Sequence, residues 1–139
     1  VVDLDATRTF ARIWNAGLPE ALLISQTGEI KQRFKSNHLP LGIMEYGIDE
    51  IQSDDIRLEC GDTIYVYSDG VTEAENEKGE MLGEDGFEAL LSVATDENGR
   101  LMDVRNKIAS FVGKAAPTDD ISIIEIKTLV TRDDITLES

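Results

Sequence analysis

Two acidic motifs in this chain carry side chains that could bind a metal ion. Asp69 follows the apolar run 63–67, and Asp119 and Asp120 precede a second apolar run, 121–126. If both runs are buried strands, the carboxylates lie where each strand leaves the core, and carboxylates on a rigid scaffold are the ligands that Mg²⁺ or Mn²⁺ requires. We therefore predict a metal centre that draws on both motifs.

Each motif taken alone also fits a simpler explanation. Asp-Gly and Asp-Asp are ordinary turn sequences, so Asp69 could belong to a turn and Asp119 and Asp120 could be a solvated pair. Under either reading, Gly70 would free the backbone to turn sharply after the strand. The metal hypothesis rests on the two motifs occurring together.

The loop that follows the first motif is also acidic. Its four glutamates are Glu73, Glu75, Glu77 and Glu80. A calcium-binding EF-hand is not indicated, because Val71 stands at the third loop position, where Asp or Asn is needed. We interpret these glutamates as a solvated face of the loop near the metal site.

An echo of the second motif lies near the end of the chain, where Asp133 and Asp134 precede the apolar residues Ile135 and Leu137. Only two residues follow Leu137, which is too few to continue a central strand. We therefore assign the metal to Asp119 and interpret residues 129–139 as an exposed tail.

The surrounding sequence predicts the elements that must hold these carboxylates. Short β runs joined by Gly-containing turns indicate antiparallel hairpins. The predicted strands cover residues 7–14, 21–25, 30–34, 51–58, 63–67 and 121–126. Apolar residues at helical spacing indicate two amphipathic helices, one around 87–94 and one over 101–112 that stops at Gly113. This order favours an α+β fold in which helices pack on an antiparallel sheet.

Composition limits the classes of partner. The 139 residues fit a single domain, and 13 basic against 28 acidic residues give a formal charge of −15. Such a surface repels nucleic acid and anionic membranes, so we exclude both as main partners. The sequence has no apolar run of the roughly 20 residues that a membrane span needs, and Cys60 is its only cysteine. We expect a cytoplasmic protein without an internal disulfide.

Several short sequence blocks accompany the two motifs, in an order that extends from about Val2 to Lys127. They are Asn15-Ala16-Gly17, Leu39-Pro40-Leu41-Gly42-Ile43, Gly61-Asp62-Thr63, the run from Tyr67 to Ala74, and the run from Thr118 to Ile124. Together they resemble the metal-dependent protein phosphatases (PPM), in their bacterial SpoIIE-like branch. The resemblance implies the αββα sandwich of that family, with residues 1–128 forming the C-terminal part of the domain.

The resemblance also implies roles for the residues of the two motifs. Asp69 and Asp119 would be the catalytic metal ligands, on one of two Mn²⁺ or Mg²⁺ ions, and Gly70 and Asp120 would orient them. A metal-activated water would hydrolyse phosphoserine or phosphothreonine without a covalent enzyme intermediate. The partner would be a phosphoprotein of bacterial signalling, such as an anti-sigma-factor antagonist.

One element of the family pattern has no match in this chain. The family's first metal-binding element is an Asp next to Gly, which we expect upstream of Val1. The chain alone would then be inactive, or nearly so. The alternative is a catalytically inactive, phosphatase-like module for binding or assembly. In both cases an unfinished sheet exposes an edge, which favours a homodimer or a domain-swapped assembly.

Overall fold

The computed structural model describes residues 1–7, 9–36, 53–95, 99–116 and 119–129. Within these ranges the chain forms seven strands and three helices. The strands are β1 (Val2–Leu4), β2 (Phe10–Ile13), β3 (Ala21–Ile24), β4 (Ile30–Phe34), β5 (Asp54–Arg57), β6 (Thr63–Tyr67) and β7 (Ile123–Lys127). The helices are α1 (Asp69–Thr72), α2 (Gly83–Val93) and α3 (Arg100–Val112).

The strands form two antiparallel sheets. One sheet has the order β1-β2-β5, and the other has the order β4-β3-β6-β7. The helices cover the face of the four-stranded sheet that is turned away from the three-stranded sheet. These layers confirm the predicted α+β class, with antiparallel sheets and flanking helices.

Two buried clusters hold the layers together, and strand β3 contributes to both. Leu22 and Ile24 pack in the cluster shared with the helices, whereas Ala21 and Leu23 pack in the cluster between the sheets. All four residues are buried, as expected for a strand covered on both faces. The same alternation in β6 directs Tyr65 and Tyr67 towards the helices and Ile64 towards the other sheet.

The first predicted strand, 7–14, is shorter in the structure, where β2 begins at Phe10. The cause is the Asp5 side chain, whose Oδ1 accepts the backbone N–H groups of Thr9 (3.0 Å) and Phe10 (2.9 Å). These bonds hold the connection between β1 and β2 as a turn. The result is a β1–β2 hairpin with an acidic residue in its turn.

The prediction of a buried strand over 121–126 is wrong in two respects. Strand β7 begins at Ile123, so residues 121 and 122 precede it. It is also an edge strand, since among the described residues it pairs only with β6. Ile121 and Ile124 are therefore 44% and 58% exposed.

The two predicted helices are confirmed. Helix α2 begins at Gly83 and α3 ends at Gly113, which has a positive φ of 62°. Phe87 of α2 is fully buried, with its ring centroid 4.5 Å from that of Tyr67. Within the described residues, no helix combines the length and the apolar character that crossing a membrane requires.

The prediction that Gly70 frees the backbone for a sharp turn is also wrong. Gly70 lies inside the single helical turn α1 and is not among the glycines with positive φ. The position requires glycine because it has no room for a side chain. A Cβ placed there would lie 2.3 Å from the carbonyl oxygen of Asp120 and 3.5 Å from the Cβ of Asp119. Gly70 thus permits the close approach of the segment that leads into β7.

We expect the substitution Gly70→Ala to lower the free energy of unfolding by about 1–3 kcal/mol, because the new methyl group displaces the Asp120 backbone. The matched control is Gly86→Ala in α2, where a Cβ would meet only side-chain atoms of Leu82, at 3.0 Å or more. There the gain in helix propensity, about 1 kcal/mol, offsets the crowding. Urea denaturation measures both variants, and equal stability of the two would contradict the packing argument.

Candidate metal centre

Asp69 and Glu73 are brought to one face by the first helical turn after β6. Asp69 is the first residue of α1, and Glu73 is its C-cap, whose N–H donates to the Asp69 carbonyl over 2.9 Å. Residues four apart on a helix are neighbours on its surface. Both side chains are exposed at this end of the four-stranded sheet.

Asp119 lies at the same end of the four-stranded sheet, next to Asp69 and Glu73. It lies in the short segment that leads into β7, and its Oδ1 accepts the N–H of Asp120 over 2.7 Å. The Oδ1 of Asp69 accepts the N–H of Gly70 in the same manner, over 3.1 Å. Each of these two carboxylates is therefore oriented by the backbone of the next residue.

The three side chains form one cluster. One carboxylate oxygen each from Asp69, Glu73 and Asp119 can be chosen so that all lie within 4.8 Å of one another. Oxygens on opposite sides of a bound cation lie about 4–5 Å apart, so all three can reach the same ion. Carboxylate oxygens are hard ligands that suit Mg²⁺ or Mn²⁺, and the donor set therefore fits the metal that the sequence predicted.

The cluster includes one residue that the sequence analysis did not assign to the site. The structure brings the predicted pair Asp69 and Asp119 together and adds Glu73, which the sequence pattern assigns to a solvated face of the loop. The sequence signal for Glu73 is its spacing of four residues from Asp69. That spacing brings the two side chains together only in a helix, and the sequence does not predict the helical turn at residues 69–72.

The other acidic residues of this region have different contacts. Asp120 contributes through its backbone, as the donor to Asp119 and as the carbonyl that faces Gly70. The carboxylate of Glu77 accepts the N–H of Lys114 over 2.9 Å and so connects the acidic loop to the end of α3. Thr118, Asp133 and the remainder of the predicted tail after residue 129 lie outside the described residues.

A cavity of about 580 Å³ opens beside the carboxylates. Gly70 and Asp119 line one part of it, and apolar residues of α3 such as Ile108 and Val112 line another. Tyr67 lies in the buried cluster that the four-stranded sheet shares with the helices, and its burial, followed by the charges of Glu84 and Glu88, raises the pKa of its phenol. Tyr67 therefore acts as a packing residue.

Comparison with protein families identifies the domain. The family model described as Stage II sporulation protein E (SpoIIE) matches residues 1–129, which is nearly the whole chain. A search of curated proteins gave no match.

Solved structures with a similar fold include the SiaA-PP2C domain of Pseudomonas aeruginosa, with a TM-score of 0.72 at 23% identity, over 91% of this chain and 49% of that one. The Mn-presoaked phosphatase domain of SpoIIE from Bacillus subtilis has a TM-score of 0.64 at 11% identity, over 94% and 56%. The RsbU and RsbW domains of a Mycobacterium tuberculosis protein give 0.67 at 20% identity, over 94% and 36%.

This chain thus spans between about a third and somewhat more than half of the length of each solved structure. Its sheets and helices correspond to a portion of the PP2C fold. Because the family model covers most of the sequence, the chain belongs to the SpoIIE family, the bacterial SpoIIE/RsbU branch of the PP2C (PPM) phosphatase domains.

Proposed function

We propose that this chain is the C-terminal part of a serine/threonine protein phosphatase domain and that it supplies three of the domain's metal ligands. The observation that carries the proposal is the clustering of the Asp69, Glu73 and Asp119 carboxylates within 4.8 Å. Membership of the SpoIIE family supports the reaction class. Phosphoserine or phosphothreonine on a partner protein is the proposed substrate.

The carboxylates are proposed to hold Mn²⁺ or Mg²⁺, which when bound lowers the pKa of a coordinated water and makes it a nucleophile at neutral pH. Asp69, Glu73 and Asp119 would each contribute one carboxylate oxygen to the ion. The backbone N–H groups of Gly70 and Asp120 orient the two aspartates, since each donates to the neighbouring carboxylate. Orientation by such outer contacts is a recurrent feature of metal sites.

Two candidate protein nucleophiles, Ser68 and Cys60, are poorly placed for attack. The Ser68 hydroxyl is engaged with the segment that leads into β7, where it both donates and accepts a hydrogen bond. Cys60 precedes the far end of β6, and a strand of five residues separates it from the cluster by about 16 Å. Direct attack by water is therefore the mechanism that we propose.

Charge makes the cation necessary for substrate binding as well as for chemistry. The chain carries a net charge of −15, and the carboxylate cluster adds a strong local negative potential that repels a phosphate group. A divalent cation would offset most of that negative charge and give the phosphate oxygens a positive centre to approach. The proposed partner is a small phosphoprotein such as an anti-sigma-factor antagonist, whose phosphorylated residue would be drawn to the ion.

We expect the 139-residue chain to hydrolyse p-nitrophenyl phosphate slowly or not at all with Mn²⁺, because the Asp-Gly element that the resemblance to the family implies is not among its residues. A longer form with an Asp-Gly strand end ahead of Val1 should be active. In that form, Asp69→Asn or Asp119→Asn should lower kcat/KM by roughly 100-fold or more, and Glu73→Gln by about ten-fold, since removing a ligand costs at least as much as removing an outer contact.

Two control variants accompany this assay. Asp133→Asn changes the echoing motif, and Asp55→Asn changes an exposed aspartate that pairs with Arg12 on the other sheet. Both should retain activity within about two-fold of the unsubstituted form, because the proposal assigns neither residue to the metal site. Loss of activity in Asp133→Asn would show that the metal ligand is Asp133 and not Asp119. An inactive longer form would favour the alternative of a phosphatase-like binding module.

We also propose that the edge strand β7 is an assembly surface. Ile121 and Ile124 are exposed beside it, and Ile124 lines a second cavity, of about 250 Å³, together with Trp14 and Val66. An edge strand that carries apolar residues attracts a further strand. A second copy of this chain can supply one, by edge pairing or by exchange of elements.

We therefore predict that the 139-residue chain dimerises at micromolar concentration, more strongly as salt rises from low to about 0.1 M, where the screening length falls to about 10 Å. Ile124→Lys should weaken the dimer by placing a charge at the edge. Met102→Lys, at a 47% exposed position on α3, is the matched control. Sedimentation equilibrium decides the question, and a monomer under both salt conditions would refute the proposal.

A further inference from the structure

Ser68 lies between β6 and α1, and its backbone makes hydrogen bonds to both α1 and the segment before β7. Its backbone is extended, with φ −81° and ψ 159°, and it is the N-cap of α1. Its carbonyl accepts the N–H of Val71 over 3.1 Å, which begins the helical turn. Serine at an N-cap commonly bonds its hydroxyl to the helix, but here the hydroxyl makes no such capping bond.

The hydroxyl is instead directed across to the segment before β7. It accepts the N–H of Ser122 over 3.0 Å and donates to the carbonyl of Asp120 over 3.1 Å. The N–H of Ser68 donates to the carbonyl of Ser122 over 3.0 Å. These three bonds join residues that lie more than 50 positions apart in the sequence.

The hydroxyl replaces a missing bond of the β ladder. The last regular pair of β6 and β7 is Tyr67 with Ile123, and the next pair, Ser68 with Ser122, would exchange two backbone bonds in a continuing ladder. The Ser68 carbonyl accepts the N–H of Val71 in α1, and the N–H of Ser122 donates to Ser68 Oγ. The side-chain oxygen accepts that N–H and so extends the pairing by one residue.

This extension acts at the residues next to the two metal-binding aspartates. Ser68 precedes Asp69, and the Asp120 carbonyl that it binds belongs to the residue after Asp119. The same carbonyl faces Gly70, where a Cβ would approach within 2.3 Å. The position of Asp119 relative to Asp69 therefore depends on the Ser68 hydroxyl.

We propose that Ser68 is a positioning residue that sets the separation of Asp69 and Asp119 and thereby the affinity of the cluster for a divalent cation. This inference rests on the proposed function of the cluster as a metal site. Ser68 acts through the two aspartates and does not itself contact the ion or the substrate.

The test compares Ser68→Ala and Ser68→Thr with the unsubstituted chain. Threonine keeps the hydroxyl, and its β-branched side chain suits the extended backbone of this position. The matched control is Ser92→Ala, which removes an exposed hydroxyl that donates to the Ala89 carbonyl within α2. Calorimetry measures the Mn²⁺ affinity, and urea denaturation measures the global stability. Amide hydrogen exchange is measured on the metal-free protein.

We expect Ser68→Ala to weaken Mn²⁺ binding by about ten-fold, the lower end of the range for outer contacts of metal ligands. Ser68→Thr and Ser92→Ala should stay within about two-fold of the unsubstituted chain. The Ser122 amide should exchange at least about ten-fold faster in Ser68→Ala. The exchange rate of core amides such as that of Ile64 should rise only by the factor that the change in global stability, measured by urea denaturation, predicts.

Failure of this inference can be separated from failure of the proposed function. If the unsubstituted chain and Asp69→Asn bind Mn²⁺ equally weakly, the metal site itself is refuted, and amide exchange then decides the role of Ser68. Unchanged exchange at Ser122 in Ser68→Ala would overturn the positioning role. Unchanged Mn²⁺ affinity in Ser68→Ala, with a metal site that does depend on Asp69, would also overturn it.

Discussion

The antiparallel pairing of β6 with β7 is the constraint on which the site depends. Five residue pairs, from Thr63–Lys127 to Tyr67–Ile123, fix the register of the two strands. Because the strands are antiparallel, the end of β6 and the start of β7 lie side by side at one end of the sheet. Asp69 lies two residues after the end of β6, and Asp119 lies four residues before the start of β7. A one-residue slip of the register would move them apart and turn every β7 side chain to the other face.

The rest of the structure makes this pairing rigid. Strand β6 is central in its sheet, and the clusters on its two faces contain Tyr65 and Tyr67 on the helical side and Ile64 on the side of the other sheet. Three carboxylates held this close repel one another when no cation is bound. The buried layers offset that repulsion, so the charged groups can be placed at the solvent-exposed edge of a stable core.

The sequence predicted those elements whose pattern is local. The apolar runs of β3 and β6 and the helical spacing of residues such as Phe87 and Leu91 are visible without tertiary information, and the structure confirms them. The pairing of Asp69 with Asp119 could also be predicted, because both motifs were expected at strand ends. In each case a short stretch of sequence contains the deciding information.

The features that the sequence missed depend on tertiary contacts. Helix α1 is a single turn, too short to have a periodicity of its own, so Glu73 could not be assigned to the site. The need for glycine at position 70 comes from the Asp120 carbonyl, a contact across the sheet end that no local pattern records. Ile124 is exposed because β7 lies at the edge of the sheet. The sequence cannot predict this, since an apolar strand has the same sequence pattern at an edge as in the centre of a sheet.

We propose that residues 69–73 and 119–122, which are distant in the sequence, form one cation site. The most direct test is the paramagnetic broadening of amide NMR signals of the ¹⁵N-labelled chain by substoichiometric Mn²⁺. We expect the signals of residues 69–73 and 119–122 to broaden together, before those of the other acidic regions, including Asp55, Glu80 and Glu84. Broadening confined to one of the two segments, or spread evenly over the acidic surface, would contradict it.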